Sequence, residues 1–562
     1  MEIFNIKDLS FQYPDTSELV LNRLTVTIQE GEFVVICGPT GCGKSTLLRL
    51  LKKELAPYGD VSGEILYAGR TIHDWDDRVS VEEIGFIFQN PENQIVMDDV
   101  LQEMVFGLEN LGYSNLEMRK RVAEIVYTFG YEHLLHKKTS ELSGGQKQIL
   151  NLLSVLLLKP KVLLLDEPIS QLDPIMAKDL LRILERVNSE LGMTILLVEH
   201  RLEELFDLAD RVVMLDGGNI SYNGSSREVI YSVFQDKDKH FLSYLPAVSR
   251  FYLETESLVE VGSIPLNVKD CKTWISSKDI EFSNHDNQFR NQLVMHDLKP
   301  IIELNDIYYQ YDKDSPMALQ NLALKINQGE FYGVVGGNGS GKTTLLRICL
   351  GLLEPQRGKV KVFGKRMTKK VKKAIYSKIA YLPQNPLTYF IHDSIEQEMR
   401  QSVQLLDPAQ AAERIEEQLQ LFGIEYLRDR HPNDCSGGEI QKAALACMLL
   451  KNPDILLIDE PTKGLDPISK RQLASTLKRI HQEGLTIVMV THDIEFAVHH
   501  TTKSAMMFNG NITIDAVPEE LFKGNYFYTT TMNRVTQNTS VPEVLTLEEA
   551  ISIWKESKLR TS

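Results

Sequence analysis

The chain contains Gly38-Pro39-Thr40-Gly41-Cys42-Gly43-Lys44-Ser45 and, in its second half, Gly336-Gly337-Asn338-Gly339-Ser340-Gly341-Lys342-Thr343. Both stretches fit the pattern G-x-x-x-x-G-K-[ST], in which backbone N–H groups close around phosphate oxygens at a helix N-terminus. Lys44 and Lys342 would neutralise the phosphates, while Ser45 and Thr343 would bind Mg²⁺. The sequence therefore predicts two nucleotide-binding loops in one polypeptide.

Further motifs recur at nearly the same spacing as the loops. The offset between partners is 298 residues at the loop lysines, 293 at the serines of a Ser-Gly-Gly motif and 292 at a histidine. The recurring motifs are Gln89-Asn90-Pro91 and Gln384-Asn385-Pro386, Glu103-Met104 and Glu398-Met399, Ser143-Gly144-Gly145 and Ser436-Gly437-Gly438, Asp166-Glu167-Pro168 and Asp459-Glu460-Pro461, and His200 and His492. This near-constant spacing indicates a duplicated domain.

The repeat predicts a division of the chain into four parts. We expect a first domain at 1–230, an appendage and linker at 231–298, a second domain at 299–525 and a C-terminal appendage at 526–562. The appendages rest on a shorter similarity, because Leu266–Asp270 before Trp274 resembles Leu545–Glu549 before Trp554. Two unrelated amphipathic helices would explain the same pattern.

The segments around the motifs predict an α/β fold. Continuous apolar runs are typical of strands that are buried on both faces. Such runs occur at 32–37, 162–165 and 194–198, and again at 331–335, 455–458 and 486–490. Helical patterns separate them, so each half is predicted to hold a parallel sheet flanked by helices.

Composition limits the classes of function. The 562 residues are 43% hydrophobic and 25% charged, with a net charge of -16, which argues against broad binding to nucleic acid. No apolar run approaches the roughly 18 residues that a membrane helix needs, and no N-terminal signal segment is expected. Six cysteines without CxxC spacing predict neither a zinc site nor disulfides and favour the cytoplasm.

Polar residues follow the predicted buried strands in both halves. Asp166 and Asp459 end such strands, where a carboxylate is costly unless it binds a cation, so Mg²⁺ is the expected partner. Glu167 and Glu460 can reach a water in line with the γ-phosphate. His200 and His492 would orient that phosphate and water, and Gln89 and Gln384 would offer an amide oxygen to Mg²⁺ or to the water. Strand-end caps and structural histidines are the alternatives.

Ser143-Gly144-Gly145-Gln146 and Ser436-Gly437-Gly438-Glu439 each precede a long apolar helical stretch. A helix N-terminus of this kind suits an anion. Each motif lies too far along the chain to serve its own phosphate loop by local folding. We therefore expect it to serve a nucleotide held by the other half.

Leu142-Ser143-Gly144-Gly145-Gln146 resembles the signature of the ATP-binding cassette family, and the other motifs follow in the family's order. The resemblance covers nearly the whole chain. It implies two cassettes, each with a helical subdomain, that close head to tail around two ATP molecules with Mg²⁺. Lys44 would share a site with Ser436, and Lys342 with Ser143.

The resemblance also implies individual roles. Tyr13 and Tyr311 match the position that stacks on adenine, and Asp173 and Asp466 match the aspartate that links the two sites. Nucleotide-binding residues implied by the motifs are Gly38, Gly41, Cys42, Gly43, Lys44, Ser45, Thr46, Ser143, Gly144, Gly145 and Gln146 in the first half, and Gly336, Asn338, Gly339, Ser340, Gly341, Lys342, Thr343, Thr344, Ser436, Gly437, Gly438 and Glu439 in the second.

The sequence departs from the family pattern in two motifs. The second signature reads Cys435-Ser436-Gly437-Gly438-Glu439, where Leu and Gln are usual at the two ends. The first histidine motif reads Glu199-His200-Arg201, whereas the second has the commoner Thr491-His492-Asp493. Cys42 lies in the first loop, opposite Cys435 if the sites are shared, and both are expected to be small structural residues. We predict two competent but unequal sites.

The segments Phe88–Val96 and Val105–Asn110 resemble the ATPase component of energy-coupling factor (ECF) transporters, which import vitamins and transition-metal ions. This resemblance implies integral membrane partners, a scaffold and a substrate-capture protein, and a peripheral location on the cytoplasmic face of the cell membrane. A fused sugar-importer ATPase, a ribosome-acting ATPase of the ABC-F type and a DNA-repair cassette protein are the alternatives. A polar Asn-Pro turn would be a structural explanation of residues 90–93.

Overall fold

The computed structural model describes residues 1–14, 16, 18–170, 172–278, 299–313, 315–404 and 407–561. The chain divides into two compact units, Met1–Asn267 and Val268–Ser562. The division falls within residues 231–298, which the sequence pattern assigns to the first appendage and linker.

The strands of the first unit form one sheet of four strands, ordered β2-β1-β4-β5, and one of six, ordered β10-β9-β3-β8-β7-β6. The six-stranded sheet is parallel except for its edge strand β10. The strands are β1 (Glu2–Gln12), β2 (Leu21–Gln29), β3 (Phe33–Cys37), β4 (Asp60–Tyr67), β5 (Arg70–Thr71), β6 (Ile84–Ile87), β7 (Val162–Asp166), β8 (Thr194–Val198), β9 (Arg211–Asp216) and β10 (Asn219–Gly224).

The helices of the first unit lie between these strands and after the last one. They are α1 (Lys44–Leu50), α2 (Asp77–Glu83), α3 (Val100–Asn110), α4 (Asn115–Phe129), α5 (Gly144–Leu156), α6 (Pro174–Leu191), α7 (Leu205–Leu208), α8 (Ser226–Gln235) and α9 (Ala247–Thr255). Local capping sets several boundaries: α5 begins where Ser143 and Gln146 form a capping box, and α6 ends at Gly192 in the left-handed conformation.

The second unit repeats this plan with sheets ordered β12-β11-β14-β15 and β16-β17-β18-β13-β19-β20. Its strands are β11 (Pro300–Tyr309), β12 (Leu319–Asn327), β13 (Phe331–Val335), β14 (Arg357–Val362), β15 (Lys365–Arg366), β16 (Ile379–Leu382), β17 (Ile455–Asp459), β18 (Thr486–Thr491), β19 (Lys503–Phe508) and β20 (Asn511–Ala516).

The second unit opens with helix α10, which precedes its first strand. Its helices are α10 (Val268–Ser276), α11 (Lys342–Cys349), α12 (Lys369–Ile375), α13 (Ile395–Ser402), α14 (Pro408–Phe422), α15 (Gly437–Leu449), α16 (Pro467–Gln482), α17 (Ile494–His500), α18 (Pro518–Phe522), α19 (Thr531–Thr536) and α20 (Leu547–Thr561). No helix in the described ranges is long and apolar enough to cross a membrane.

The apolar runs form the strands that the sequence predicts, and the α/β fold class is confirmed. All five residues of β7 and all five of β17 are buried, as expected for strands covered on both faces. In each unit the neighbouring parallel strand ends at the same level, because Asp166 pairs with Val198 and Asp459 with Val490. The polar residues that follow these strands therefore meet at one edge of the sheet.

Candidate functional site

The first phosphate loop connects β3 to α1 and requires glycine at two positions. Gly43 is the N-cap of α1 and has a left-handed φ of 99°. At Gly38, a Cβ atom would lie 2.1 Å from the main-chain oxygen of Leu215. Any other residue would strain the backbone at Gly43 and collide with β9 at Gly38.

The second loop connects β13 to α11 in the same way. Gly341 is the N-cap of α11, with a φ of 104°. A Cβ atom at Gly336 would lie 2.4 Å from the main-chain oxygen of Met507. Both loops thus bring a narrow main-chain cradle to a helix N-terminus, which is the geometry that suits phosphate.

Both loop lysines are buried and turn back onto their own loops. Lys44 Nζ donates to the main-chain oxygens of Gly38 at 2.8 Å and Pro39 at 2.7 Å. Lys342 Nζ donates to those of Gly336 at 2.8 Å and Gly337 at 3.0 Å. A negative partner stabilises a buried ammonium group, so both loops fit an anionic ligand.

A hydroxyl and an aspartate lie together beside each lysine. Ser45 Oγ donates to Asp166 Oδ1 at 2.7 Å. Burial raises the pKa of Asp166, and the bond from Ser45 opposes this shift. Burial also raises the pKa of Asp459, with the neighbouring Thr343 hydroxyl opposing it, and Asp459 Oδ1 is buried without a hydrogen-bond partner in the described part of the chain. Hydroxyl and carboxylate oxygens of this kind fit Mg²⁺.

The first unit brings its glutamate, histidine and glutamine together. Glu167 follows β7 in a left-handed conformation with φ of 46°. Its carboxylate accepts a hydrogen bond from Gln89 Nε2 at 2.6 Å and lies 2.9 Å from His200 Nε2. A non-glycine residue with positive φ costs energy and is typical of functional sites.

The second unit holds its glutamate with different partners. Glu460 has φ of 51°, and its carboxylate lies 2.6 Å from His492 Nδ1 and 3.3 Å from Lys342 Nζ. Burial raises the pKa of Glu460, but His492 and Lys342 outweigh it and hold the pKa below its usual value. Gln384 lines a cavity of about 150 Å³ together with Asp459 and Glu460. The two clusters therefore differ although their sequences match.

The tyrosines assigned to adenine stacking occupy equivalent places. Tyr13 Oη lies 3.1 Å from Thr46 Oγ1, in the first turn of α1. Tyr311 Oη lies 3.0 Å from Thr344 Oγ1, in the first turn of α11. The structure thus brings each tyrosine to the end of its own phosphate loop.

The signature residues form helix N-termini. Ser143 caps α5 through a bond from Gln146 N at 3.3 Å, and Ser436 caps α15 through a bond from Glu439 N at 3.4 Å. Within the described ranges no hydrogen bond joins either serine to the phosphate loop of its own unit. The structure therefore does not bring the signatures into the clusters of their own units.

Asp173 and Asp466 are helix caps as well. Asp173 Oδ1 accepts from two main-chain N–H groups in the first turn of α6, and Asp466 does so in the first turn of α16. Cys42 is 5% exposed, and burial raises its thiol pKa; burial also raises the pKa of the half-buried Cys435. Lys44 Nζ donates to Cys42 Sγ at 3.7 Å, so the Cys42 side chain lies against the loop lysine.

The sequence did not predict the structural role of the repeated Glu-Met motif, Glu103-Met104 and Glu398-Met399. Glu103 Oε2 accepts from the main-chain N–H groups of Val96 and Met97 at 2.9 and 2.8 Å. Glu398 Oε2 accepts from those of Ile391 and His392 at 2.9 and 3.2 Å. Each buried glutamate fixes the loop that follows the glutamine. The sequence did contain a signal for this role, because each glutamate lies 14 residues after the glutamine of its own half.

Comparisons with known proteins agree with this geometry. A family model described as "ABC transporter" matches residues 21–170 and 319–463. A Bacillus cereus protein named as an ABC transporter ATP-binding protein is 42% identical over 545 residues, which cover 97% of this chain and 96% of the relative. A similarly named protein of Methanosarcina acetivorans is 33% identical, and the match covers 93% of this chain and 85% of the relative.

A solved structure is also similar, that of cbiO1 from Clostridium perfringens, titled as part of the ABC transporter complex cbiONQ. The two chains are 29% identical, the match covers 40% of this chain and 90% of the cbiO1 chain, and the TM-score is 0.37. The family model and the full-length relatives, together with two complete sets of motifs, lead to one conclusion: the chain belongs to the ABC transporter family and is an ATP-hydrolysing protein with two P-loop cassettes in one polypeptide.

Proposed function

We propose that this chain is the fused double ATPase of an ECF-type importer. It would work at the cytoplasmic face of the cell membrane with a membrane scaffold and a substrate-capture protein. The cargo would be a vitamin, a vitamin precursor or a transition-metal ion. ATP would bind at two shared sites, one formed by Lys44 and Ser436 and the other by Lys342 and Ser143.

The separation of loop and signature within each cassette carries the proposal of shared sites. Each loop has its lysine, aspartate, glutamate and histidine close by, but each signature serine makes its hydrogen bonds within its own helix end. Ser143 is exposed at the N-terminus of the 13-residue helix α5. Such an end attracts anions, so it is suited to the phosphate held by the other cassette.

Each side chain has a definite task in this account. Lys44, Lys342 and the loop N–H groups would bind the phosphates, with Tyr13 and Tyr311 against the base. Glu167 and Glu460 would take a proton from the attacking water. Bound Mg²⁺, held by Ser45 and Asp166 or by Thr343 and Asp459, with Gln89 or Gln384 nearby, would supply positive charge to the phosphates.

The loops after Gln89 and Gln384 support docking to membrane partners. Val96 is 65% exposed and Ile391, its counterpart in the repeat, is 86% exposed. Their backbones are held by Glu103 and Glu398, so these apolar side chains point outward from fixed loops. Asn90 and Asn385 also form the local turn that the structural explanation expects, since each caps the residues that follow. A turn of this kind and a docking role are compatible.

Copurification tests the transporter assignment. The full chain, tagged and expressed in its native host, should be recovered from membranes with a small integral membrane protein. Val96→Glu combined with Ile391→Glu should abolish this recovery, whereas Tyr58→Glu, at a similarly exposed aromatic residue of the four-stranded sheet region, should not. Unfolding temperatures within about 2 °C of the unmodified chain would show that the fold is intact. Sedimentation with ribosomes instead would favour the ABC-F alternative.

A further inference from the structure

The two residues that flank the histidine differ between the cassettes. His200 lies between Glu199 and Arg201, whereas His492 lies between Thr491 and Asp493. The histidines themselves occupy the same place, at the end of β8 or β18 beside a glutamate. The difference is therefore in what holds each histidine.

Glu199 is fully buried and joins two parts of the first site. Its Oε1 accepts from the main-chain N–H of Ile169 at 2.8 Å, and its Oε2 accepts from that of His200 at 3.0 Å. Ile169 lies two residues after Glu167, in the loop that leads to α6. One carboxylate thus connects the histidine to the loop that follows the proposed general base.

Arg201 makes a second connection to the same loop. Its guanidinium Nη1 donates to the main-chain oxygen of Leu172 at 3.0 Å. Leu172 precedes Asp173, the N-cap of α6. Both neighbours of His200 therefore bind main-chain atoms that follow Glu167, at Ile169 and at Leu172.

The second cassette uses the corresponding positions differently. Thr491 Oγ1 accepts from the main-chain N–H of Asp493 at 3.0 Å. Asp493 caps α17 and forms an ion pair with Lys470 of α16 at 2.7 Å. The main-chain N–H of His492 donates to Glu460 Oε2 at 3.2 Å. The proposed base thus binds the very N–H group that Glu199 binds in the first cassette.

This exchange of partners changes where the first glutamate points. Both glutamates contact the ring of their histidine, but since Glu199 occupies the N–H of His200, the carboxylate of Glu167 accepts from Gln89 Nε2 instead of that N–H. We infer that Glu199 is a positioning residue of the first ATP site, which holds His200 and the loop after Glu167 so that Glu167 faces Gln89. The inference rests on the proposed role of Glu167 as general base.

Single-turnover hydrolysis in the full chain tests this role. Glu460→Gln silences the second site, so the hydrolysis of bound [γ-³²P]ATP then reports on the first. Glu199→Gln turns an amide NH₂ group towards the main-chain N–H of either Ile169 or His200, so one of these donors loses its acceptor. Glu199→Thr introduces the residue that precedes the histidine in the second cassette. Each should slow the hydrolytic step roughly tenfold, the loss expected when one buried main-chain N–H group loses its hydrogen-bond acceptor. The Kd for ATP should change less than about twofold, because both Glu199 oxygens bind N–H groups outside the phosphate loop.

Two controls distinguish a positioning role at the first site from a general loss of activity or folding. In a Glu167→Gln chain, Glu199→Gln should leave hydrolysis at the second site unchanged. Thr491→Val, in the Glu460→Gln chain, should leave the first site unchanged. A first-site rate that Glu199→Gln does not alter, or an equal loss at both sites, would overturn the inference. If the chain with both Glu167→Gln and Glu460→Gln hydrolyses ATP as fast as the unmodified chain, the proposed role of these glutamates as general bases fails, and this inference fails with it.

Discussion

The indole rings of Trp274 and Trp554 stack with their centroids 4.8 Å apart and their planes at 22°. Trp274 lies on α10, which continues the chain that leaves the first unit, and Trp554 lies on the C-terminal helix α20. Lys272, also on α10, donates to the main-chain oxygen of Gln537 at 2.9 Å. The start of the second unit is thus fastened to its own C-terminal region.

The tryptophan pair has an optical consequence. Stacked indoles couple their transitions, and the chain has three tryptophans in all. Trp274→Phe should remove the exciton couplet from the circular dichroism spectrum and lower the free energy of unfolding by about 1 kcal/mol. Trp75→Phe, at the third tryptophan, is the matched control and should leave the couplet in place. A couplet that survives in Trp274→Phe would contradict the stack.

The glutamates that follow β7 and β17 should dominate hydrolysis. A positioned general base contributes roughly 100-fold or more to the rate. Glu167→Gln and Glu460→Gln together should therefore lower steady-state ATPase activity by at least about 100-fold, with ATP binding retained. The two single variants should differ from one another, because Glu167 and Glu460 have different partners. If one single variant keeps full activity, that site is regulatory.

Glu103 should control the mobility of the loop that carries Val96. Both main-chain N–H groups donate to one oxygen of the buried carboxylate, and the uncharged amide oxygen of a glutamine is a weaker acceptor for both bonds. Glu103→Gln should speed hydrogen–deuterium exchange at residues 96 and 97 roughly tenfold. Glu109→Gln, at an exposed residue of the same helix, should not. Unchanged exchange in Glu103→Gln would show that the loop is held by other contacts.

Glu199 should make stability depend on pH. Burial raises the pKa of Glu199 to about 8, and nearby Glu167 adds to the shift. An unfolded glutamate titrates near about 4.3, so between these values the folded chain holds a proton that the unfolded chain has released. The contribution of this group to stability therefore falls as pH rises through this window. Glu199→Gln removes that dependence.

Urea unfolding at about pH 5 and about pH 8 measures this effect. The free energy of unfolding of the unmodified chain, taken relative to Glu199→Gln, should be lower at the higher pH. An equal difference at both pH values, or a larger one at the higher pH, would contradict the raised pKa.

Much of the fold follows from local sequence patterns. The run at 331–335 forms β13 and the run at 194–198 forms β8, because short continuous apolar runs are typical of strands covered on both faces. The glycine-rich loops are equally readable, since Gly43 and Gly341 are required by their left-handed backbone. At these two positions, the glycine that the sequence motif specifies is also the residue that the left-handed backbone needs.

Other features depend on contacts that no periodicity encodes. Glu460 pairs with Lys342, whereas Glu167, which has a similar left-handed backbone, accepts from Gln89. The bond from Ile169 N to Glu199 joins residues 30 positions apart. The sequence repeat likewise relates the segments that lead to Trp274 and Trp554, but tertiary contacts decide in which unit Trp274 packs.

Photolabelling tests the central claim of shared ATP sites most directly. In a chain with Glu167→Gln and Glu460→Gln, bound ATP should persist, and an azido-ATP label can be mapped to peptides near each phosphate loop. Ser436→Asp keeps a good helix cap but adds a negative charge beside the phosphate. It should reduce labelling near Lys44 and spare the peptide near Lys342, and Ser143→Asp should do the reverse. Loss of label from the cassette that carries the substitution would contradict the head-to-tail account.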